Sequence, residues 1–453
     1  MQDKKLHELA HHPVGALMWR YFWPTFIGVM ANSLYNIIDR IFIGQFVGPE
    51  ALSGVTAVFP VMVIMMAFGM LVGSGGSVRL SLNLGRKDFE KARQVVGNAV
   101  ALVVLISGSV TFLGFAIKGP MLRLFGATDV TMQYANEYLN YILWGVVLHE
   151  FGFSLNALIR AEGNAHLAMI SMLISAGINI PLDALFIIHF KLGVGGAALA
   201  TIISMACLSA WVLIHFRSNR CVVKLEWKYL GLNKKIVLAI TSVGLAPFAM
   251  QIANSVVQAL FNINLIRYGS DLAVGAMGIV MSVAVIIIMS IVALNMASQP
   301  IIGYNYGARN YNRVRQTLIK SISIATAISL CAWVLIQVFP KPIINIFVSD
   351  SAEIMNYGKD GLRIYLLALP VVGFQVVAGN YFQAIGKAGK SIFLSLLRQV
   401  IVLIPLLIIL PKVLGLTGVW ISAPISDAVS SIITALFLIK EWKRLTQASN
   451  ALA

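Results

Sequence analysis

Along this chain the polar positions gather into short clusters, and the intervals between them are apolar almost throughout. The intervals show neither the two-residue alternation of a half-buried strand nor the single apolar stripe of a soluble amphipathic helix. Twelve of them have the ~20 residues needed to cross the hydrocarbon of a bilayer. They lie near 17–38, 53–77, 95–117, 135–159, 168–189, 195–216, 236–264, 272–298, 317–340, 361–383, 391–410 and 415–439. Backbone polar groups in lipid must be satisfied within the segment, so these runs must be helices. The pattern predicts an all-α membrane protein with twelve transmembrane helices.

Composition agrees. Only 11% of residues are charged and mean hydropathy is +0.84, whereas a soluble domain carries ~25% charge. Dividing the length into soluble domains therefore has no meaning here. The net charge of +16 would suggest nucleic-acid binding in a soluble protein. Here 24 of the 34 Lys and Arg fall in the termini and in alternate loops, nine near the opposite helix ends, and Arg398 within a span. By the positive-inside rule both termini are expected to be cytoplasmic, and an even number of spans agrees with their lying on one side. The basic loops then serve orientation and anchoring to anionic lipid, and no nucleic-acid partner is expected. Cys207, Cys221 and Cys331 are odd in number and lack metal-ligand spacing, so neither a disulfide framework nor a zinc site is expected. The first apolar run is too long for a signal-peptide core and reads as an uncleaved first helix.

The chain contains itself twice. The loop Asn83-Leu84-Gly85-Arg86-Lys87-Asp88 matches Asn305-Tyr306-Gly307-Ala308-Arg309-Asn310 at an offset of 222. Ala31-Asn32-Ser33 matches Ala253-Asn254-Ser255, and Gly193-Val194-Gly195-Gly196 matches Gly415-Leu416-Thr417-Gly418, at the same offset. Arg160-Ala161-Glu162-Gly163 matches Gln383-Ala384-Ile385-Gly386 at 223. The expected organisation is two parallel, pseudo-symmetric six-helix bundles, 1–216 and 236–453, joined by a basic linker at 217–235. Duplicated halves of this kind enclose midplane substrate sites in transporters.

Ionisable groups at membrane depth cost about 2.5–3.5 kcal/mol on insertion scales, so each calls for a role. Asp39, Tyr35 and Asn32 share one face of the first span. Asn179 and Asp183 share a face of the fifth, with Pro181 between them freeing a backbone carbonyl. Thr201 lies in the sixth. Two carboxylates in low dielectric cannot both ionise cheaply, and a proton or Na⁺ would resolve the conflict. The competing assignment makes Asp39 and Asp183 helix-end caps. Arg398 and Asp427 read as a structural ion pair, and Glu150 beside His149 has no assigned role. Met62, Met65, Met66 and Met70 stripe the second span and read either as ordinary packing or as a pliable substrate wall.

These residues resemble the multidrug and toxic compound extrusion (MATE) family. The likeness rests on Pro24 with Asp39 fifteen residues later, on the Asn-x-x-x-Asp pair Asn179 and Asp183, on Thr201, and on Asn156 before Arg160-Ala161-Glu162-Gly163-Asn164. The resemblance implies two six-helix bundles forming a V-shaped cavity in a bacterial inner membrane. It implies antiport of amphipathic, often cationic compounds against H⁺ or Na⁺, with no other cofactor. Pro24 would bend the first helix. Asp39, Asn179, Asp183, Thr201 and Asn156 would couple the cation. Asn32, Tyr35, Met62, Met66 and Met70 would line the substrate cavity, in a monomer. The seventh span has no carboxylate, so coupling is expected in the first half. A lipid-linked precursor flippase is the alternative, disfavoured because Arg398 is the one clear intramembrane cation. No Walker loop, His-Glu-x-x-His or Gly-x-Ser-x-Gly motif supports an enzyme. The Gly73-Ser74-Gly75-Gly76-Ser77 stretch reads as a close helix-packing segment or a helix end.

Overall fold

The apolar intervals fold as long helices. The computed structural model describes residues 2–219, 221–269, 271–347 and 352–450, and every regular element among them is helical. In the first half, the short α1 (Gln2–His11) precedes α2 (Val14–Phe42), α3 (Pro49–Gly85), α4 (Phe89–Leu124), α5 (Met132–Ala161), α6 (Ala165–Asp183) and α7 (Gly193–Arg217). In the second, α8 (Lys234–Tyr268), α9 (Asp271–Gly307) and α10 (Tyr311–Val338) lead through α11 (Pro340–Asn345) to α12 (Ala352–Tyr365), α13 (Leu369–Ala384), α14 (Ala388–Leu396) and α15 (Ile404–Asn450).

Ten of the described helical runs are long and apolar enough to cross a membrane. One further span is the pair Met355–Tyr365 and Leu369–Ala384, bent by 49°. The run Ala388–Asn450 is two spans, because Gly415 breaks it at φ 57°. There the chain doubles back so closely that a Cβ on Gly418 would meet Pro411 N at 2.9 Å. Twelve spans result, as the hydropathy pattern predicts. The first runs further than its apolar window, to Val47, because Asp39 is buried and the helix continues past it into a π-helical turn, Ile43–Val47.

The repeat is visible in the backbone as well. Lys87 and Arg309 both adopt the left-handed conformation, at φ 58° and 60°, which costs a non-glycine residue roughly 1–2 kcal/mol. The next residue in each copy caps the following helix. Asp88 Oδ1 accepts from Lys91 N at 3.1 Å and Asn310 Oδ1 from Arg313 N at 3.4 Å. Gly163 and Gly386 share a positive φ, as do Gly193 and Gly415. At these turns glycine is needed for the conformation, which is why it survives in both copies.

The chain separates into two compact units, Met1–Phe248 and Ala249–Ala453, with the division inside α8. The early turns of α8 belong to the first unit because glycines let them pack closely against α3. A Cβ on Gly75 would meet Ile240 carbonyl carbon at 2.9 Å, and one on Gly244 would meet Leu71 Cα at 2.9 Å. Arg79 Nε also donates to Ala239 O at 2.9 Å. The glycine-rich stretch of α3 is therefore a helix interior built for contact. Gly73 likewise faces α5, where an added Cβ would lie 2.8 Å from Ser154 Cα. Gly73→Ala should lower stability by about 1–3 kcal/mol, read as a fall in the melting temperature of the purified protein.

The segment after α7 is docked by one buried carboxylate. Glu162 pairs with His215 and accepts from Val222 N at 2.9 Å and Val223 N at 3.4 Å. In the second unit Lys387 and Lys390 pair with buried Glu441. Cys221 lies beside the Glu162 clasp, and burial, with Glu162 adding to it, pushes its thiol up to about 11. At pH 7 it is therefore protonated as well as covered, and a maleimide should label it slowly. Glu162→Gln should release the segment and speed Cys221 labelling at least tenfold, measured against denatured protein. With Cys207 and Cys331 replaced by Ser, fast labelling of Cys221 in the native protein would contradict the docked arrangement.

Candidate functional site

Three features of local sequence hold the first-unit carboxylates in the interior. Pro181 has no N–H, so the Gly177 carbonyl loses its helical partner inside α6. Both acidic helices run into π-helical turns, Ile43–Val47 after α2 and Ala184–His189 after Asp183. Such turns widen the helix and leave backbone groups unmatched, a geometry frequent at functional sites, and a third lies at Leu397–Leu403 in the second unit. Pro24 sits within α2, well before Asp39.

Asp39 is 6% exposed, and Asn179 and Asp183 are fully buried. Asp39 and Asp183 lie close enough for their charges to repel. The Tyr138 hydroxyl of α5 is within hydrogen-bonding reach of Asp39. Tyr35 stands in the field of both carboxylates. Five buried polar atoms here have no hydrogen-bond partner: Asp39 Oδ1, both side-chain polar atoms of Asn179, and both oxygens of Asp183. Each such group costs about 1–3 kcal/mol, and more when charged. The donor set is hard oxygen, and among the described residues no group of three or more His, Cys, Asp or Glu could hold a metal ion. The chemistry suits one monovalent cation or a proton.

Thr201 is buried on α7, where Ser204 Oγ donates to its carbonyl at 2.8 Å. Asn156 is placed elsewhere. Its Nδ2 donates to Ala168 O at 2.9 Å and Ser171 Oγ at 2.7 Å, and its Oδ1 accepts from Arg160. Ser171 is eight residues before Asn179, about 12 Å along α6. Asn156 thus spends its amide tying α5 to α6 and satisfying a buried arginine, at a distance from the carboxylate pair.

A cavity of about 20 Å³ opens between α2, α5, α6 and α7, with Asn32, His149, Asn156, Ser175, Met205 and Leu208 on its wall. Tyr35 packs in the apolar cluster with the same Met205 and Leu208. Of the residues expected to line a substrate cavity, Asn32 faces this space and Tyr35 adjoins it. Met62, Met66 and Met70 are half-buried along α3, and the methionine at this cavity's wall named above comes from α7. About 20 Å³ admits water and excludes a drug. Tyr138 was not signalled by the sequence, because no local pattern says which residue of the fourth span meets the first. Arg398 and Asp427 do pair, with Nε and Oδ1 2.6 Å apart, close as an ion pair though not aligned as a hydrogen bond.

Duplicated six-span halves are a build common among membrane transporters. The sequence profile of the MatE family matches residues 24–185 and again 247–409. The chain belongs to the MatE family, whose members are membrane transporters and not enzymes. It is 27% identical to the multidrug export protein MepA of Staphylococcus aureus over 446 residues, 98% of each chain. It is 38% identical to the MATE multidrug transporter DinF-BH, solved in a ligand complex, with a TM-score of 0.87 over 94% of this chain and 95% of that one. A MATE protein solved in a bent conformation superposes with a TM-score of 0.92 at 27% identity, covering 99% of both chains.

Asn156→Ala should leave Arg160 buried without its acceptor and destabilise the fold by about 2–4 kcal/mol, seen as a lower melting temperature. Unchanged stability would contradict the structural role assigned to this amide.

Proposed function

We propose that this protein exports amphipathic, often cationic compounds across a bacterial inner membrane by antiport against H⁺ or Na⁺, with both termini cytoplasmic. The observation that carries the reading is the Asp39–Asp183 pair with Asn179, buried together with five polar atoms that lack a hydrogen-bond partner among the described residues. With both carboxylates ionised the site is strained by like charge in low dielectric. Binding one cation removes a repulsion of several kcal/mol. Inverting a two-state equilibrium from 1:99 to 99:1 takes about 5.5 kcal/mol, so the magnitudes are comparable. The cation would act by favouring one packing of α2, whose Pro24 and terminal π turn let it bend, and so bias the transporter between its two open states. Thr201 would add a hydroxyl to the site. The half-buried methionines Met62, Met66 and Met70 supply a pliable wall for varied substrates.

The MepA and DinF-BH relatives, a multidrug export protein and a multidrug transporter solved with a ligand bound, support the substrate class. A monomer suffices for this mechanism, with lipid as its solvent and no cofactor beyond the coupling ion. The flippase alternative is weakened by Arg398, whose charge Asp427 neutralises and so withholds from a pyrophosphate.

Purified protein in proteoliposomes should move a fluorescent cationic dye when a H⁺ or Na⁺ gradient is imposed. Asp39→Asn and Asp183→Asn should each reduce gradient-driven movement at least tenfold. Movement untouched by either substitution would remove the first-half site, and no movement of any dye would redirect the substrate to lipid-linked compounds.

A further inference from the structure

Glu150 is a buried carboxylate that the reading above leaves unused. It lies on α5, with its side chain 2% exposed. Its Oε1 is 3.1 Å from His149 Nδ1, while its Oε2 is buried with no partner. The position is made by α3. Gly69 lies directly beneath the carboxyl group, and a Cβ there would be 2.8 Å from Glu150 Cδ. Ser154 Oγ donates to the Gly69 carbonyl at 3.0 Å and fixes the two helices at this level. Any side chain at residue 69 would expel the carboxylate. His149 is 31% exposed at its side chain and lies on the wall of the small cavity.

That cavity is reached by His149, the partner of Glu150, and is also lined by Asn32 of α2, seven residues before Asp39. Its polar wall consists of Asn32, His149, Asn156 and Ser175. About 20 Å³ has room for a water, and with the Asn156 amide already engaged, Asn32, His149 and Ser175 remain to give it the two to four partners it needs. Asn32 is one turn from Tyr35 on α2, and Tyr35 is one turn from Asp39. Tyr35 packs on Met205 and Leu208, which also wall the cavity, and it feels the charges of Asp39 and Asp183. Tyr138, which reaches Asp39, is twelve residues from Glu150 on α5, so the ladder spans about 18 Å. α3 faces Glu150 with Gly69, and α6 and α7 face the cavity with Ser175, Met205 and Leu208. The charged or titratable groups along the path are His149, Tyr35 and, at its far end, Arg160 on Asn156.

We infer that His149 and Glu150 form a proton relay feeding the Asp39–Asp183 pair through the hydrated cavity. A proton received by the Glu150–His149 pair passes to cavity water. It leaves that water along the Asn32–Tyr35 face and ends on a carboxylate of the aspartate pair. The inference rests on the cation-coupled reading and commits its ion to H⁺, since a water-sized cavity lined by amides, a hydroxyl and an imidazole has no charge to draw Na⁺ through.

The test follows carboxyl bands by time-resolved infrared spectroscopy of reconstituted protein after a pH jump, in wild type, Asp39→Asn, Glu150→Gln, Glu150→Asp and His149→Phe. Asp39→Asn should abolish a band of the pair, which identifies it. Glu150→Gln and His149→Phe should slow its rise at least tenfold at an unchanged melting temperature. Glu150→Asp should recover part of the rate, as a merely structural carboxylate would not. Gly69→Ala should act like Glu150→Gln. A band abolished by Asp39→Asn yet rising at the wild-type rate in Glu150→Gln would overturn the relay and leave the coupling site standing. A pH response indifferent to Asp39→Asn would overturn the coupling reading and the relay with it.

Discussion

The architecture of the first half turns on one constraint, the cost of holding two carboxylates close together in a low-dielectric interior with few compensating groups. Among the described residues neither Asp39 nor Asp183 has an ion-pair partner, Asp39 gains only the Tyr138 hydroxyl and the charge of its neighbour Arg40, and Asn179 beside them has no hydrogen bond. A protein that needed only stability would have paired or removed these groups, as the second unit does by setting Arg398 against Asp427. The proline in each acidic helix and the π turns that end both helices make sense around this pair. They loosen the backbone where a bound ion would change the balance of charge.

The repeat makes the asymmetry measurable within one chain. At the offset of 222, Asp39 falls on Phe261 and Thr201 on Ala423, both buried. The backbone was kept, down to the left-handed Lys87 and Arg309 and the paired glycine turns. The oxygen-bearing side chains of Asp39 and Thr201 stand in one copy only. Fold and function are thus carried by different residues, glycines and caps for the first, a few oxygens for the second.

Much of this was legible in the sequence, for physical reasons. Spans are read from hydropathy because lipid imposes a length and forbids open backbone. The duplicated halves are read from matching loops. The close packing of the Gly73–Ser77 stretch is read from small residues in an apolar helix. The contact between Asp39 and Asp183 depends on which faces of α2 and α6 meet, and residue spacing within one helix carries no such register. It came from the family resemblance. Tyr138 and the Gly69 cradle under Glu150 are contacts between helices far apart in the chain, without local signature. Asn156 illustrates the converse, a polar residue near the right sequence whose amide is occupied about two turns or more from the pair.

If the Asp39–Asp183 pair takes the coupling cation and the packing of α2 links its occupancy to the substrate cavity, substrate binding must displace that cation, and proton release on ligand binding measures the linkage directly. Calorimetric titration of the purified protein with a cationic dye, in buffers of different ionisation enthalpy, counts the protons released. With H⁺ as the coupling ion, about one proton should leave per dye bound in the wild type. With Na⁺, dye affinity should instead fall as Na⁺ rises. Either linkage should vanish when Asp39 and Asp183 are both replaced by Asn. A linkage that survives the double replacement, or dye binding indifferent to both ions in the wild type, would contradict the account.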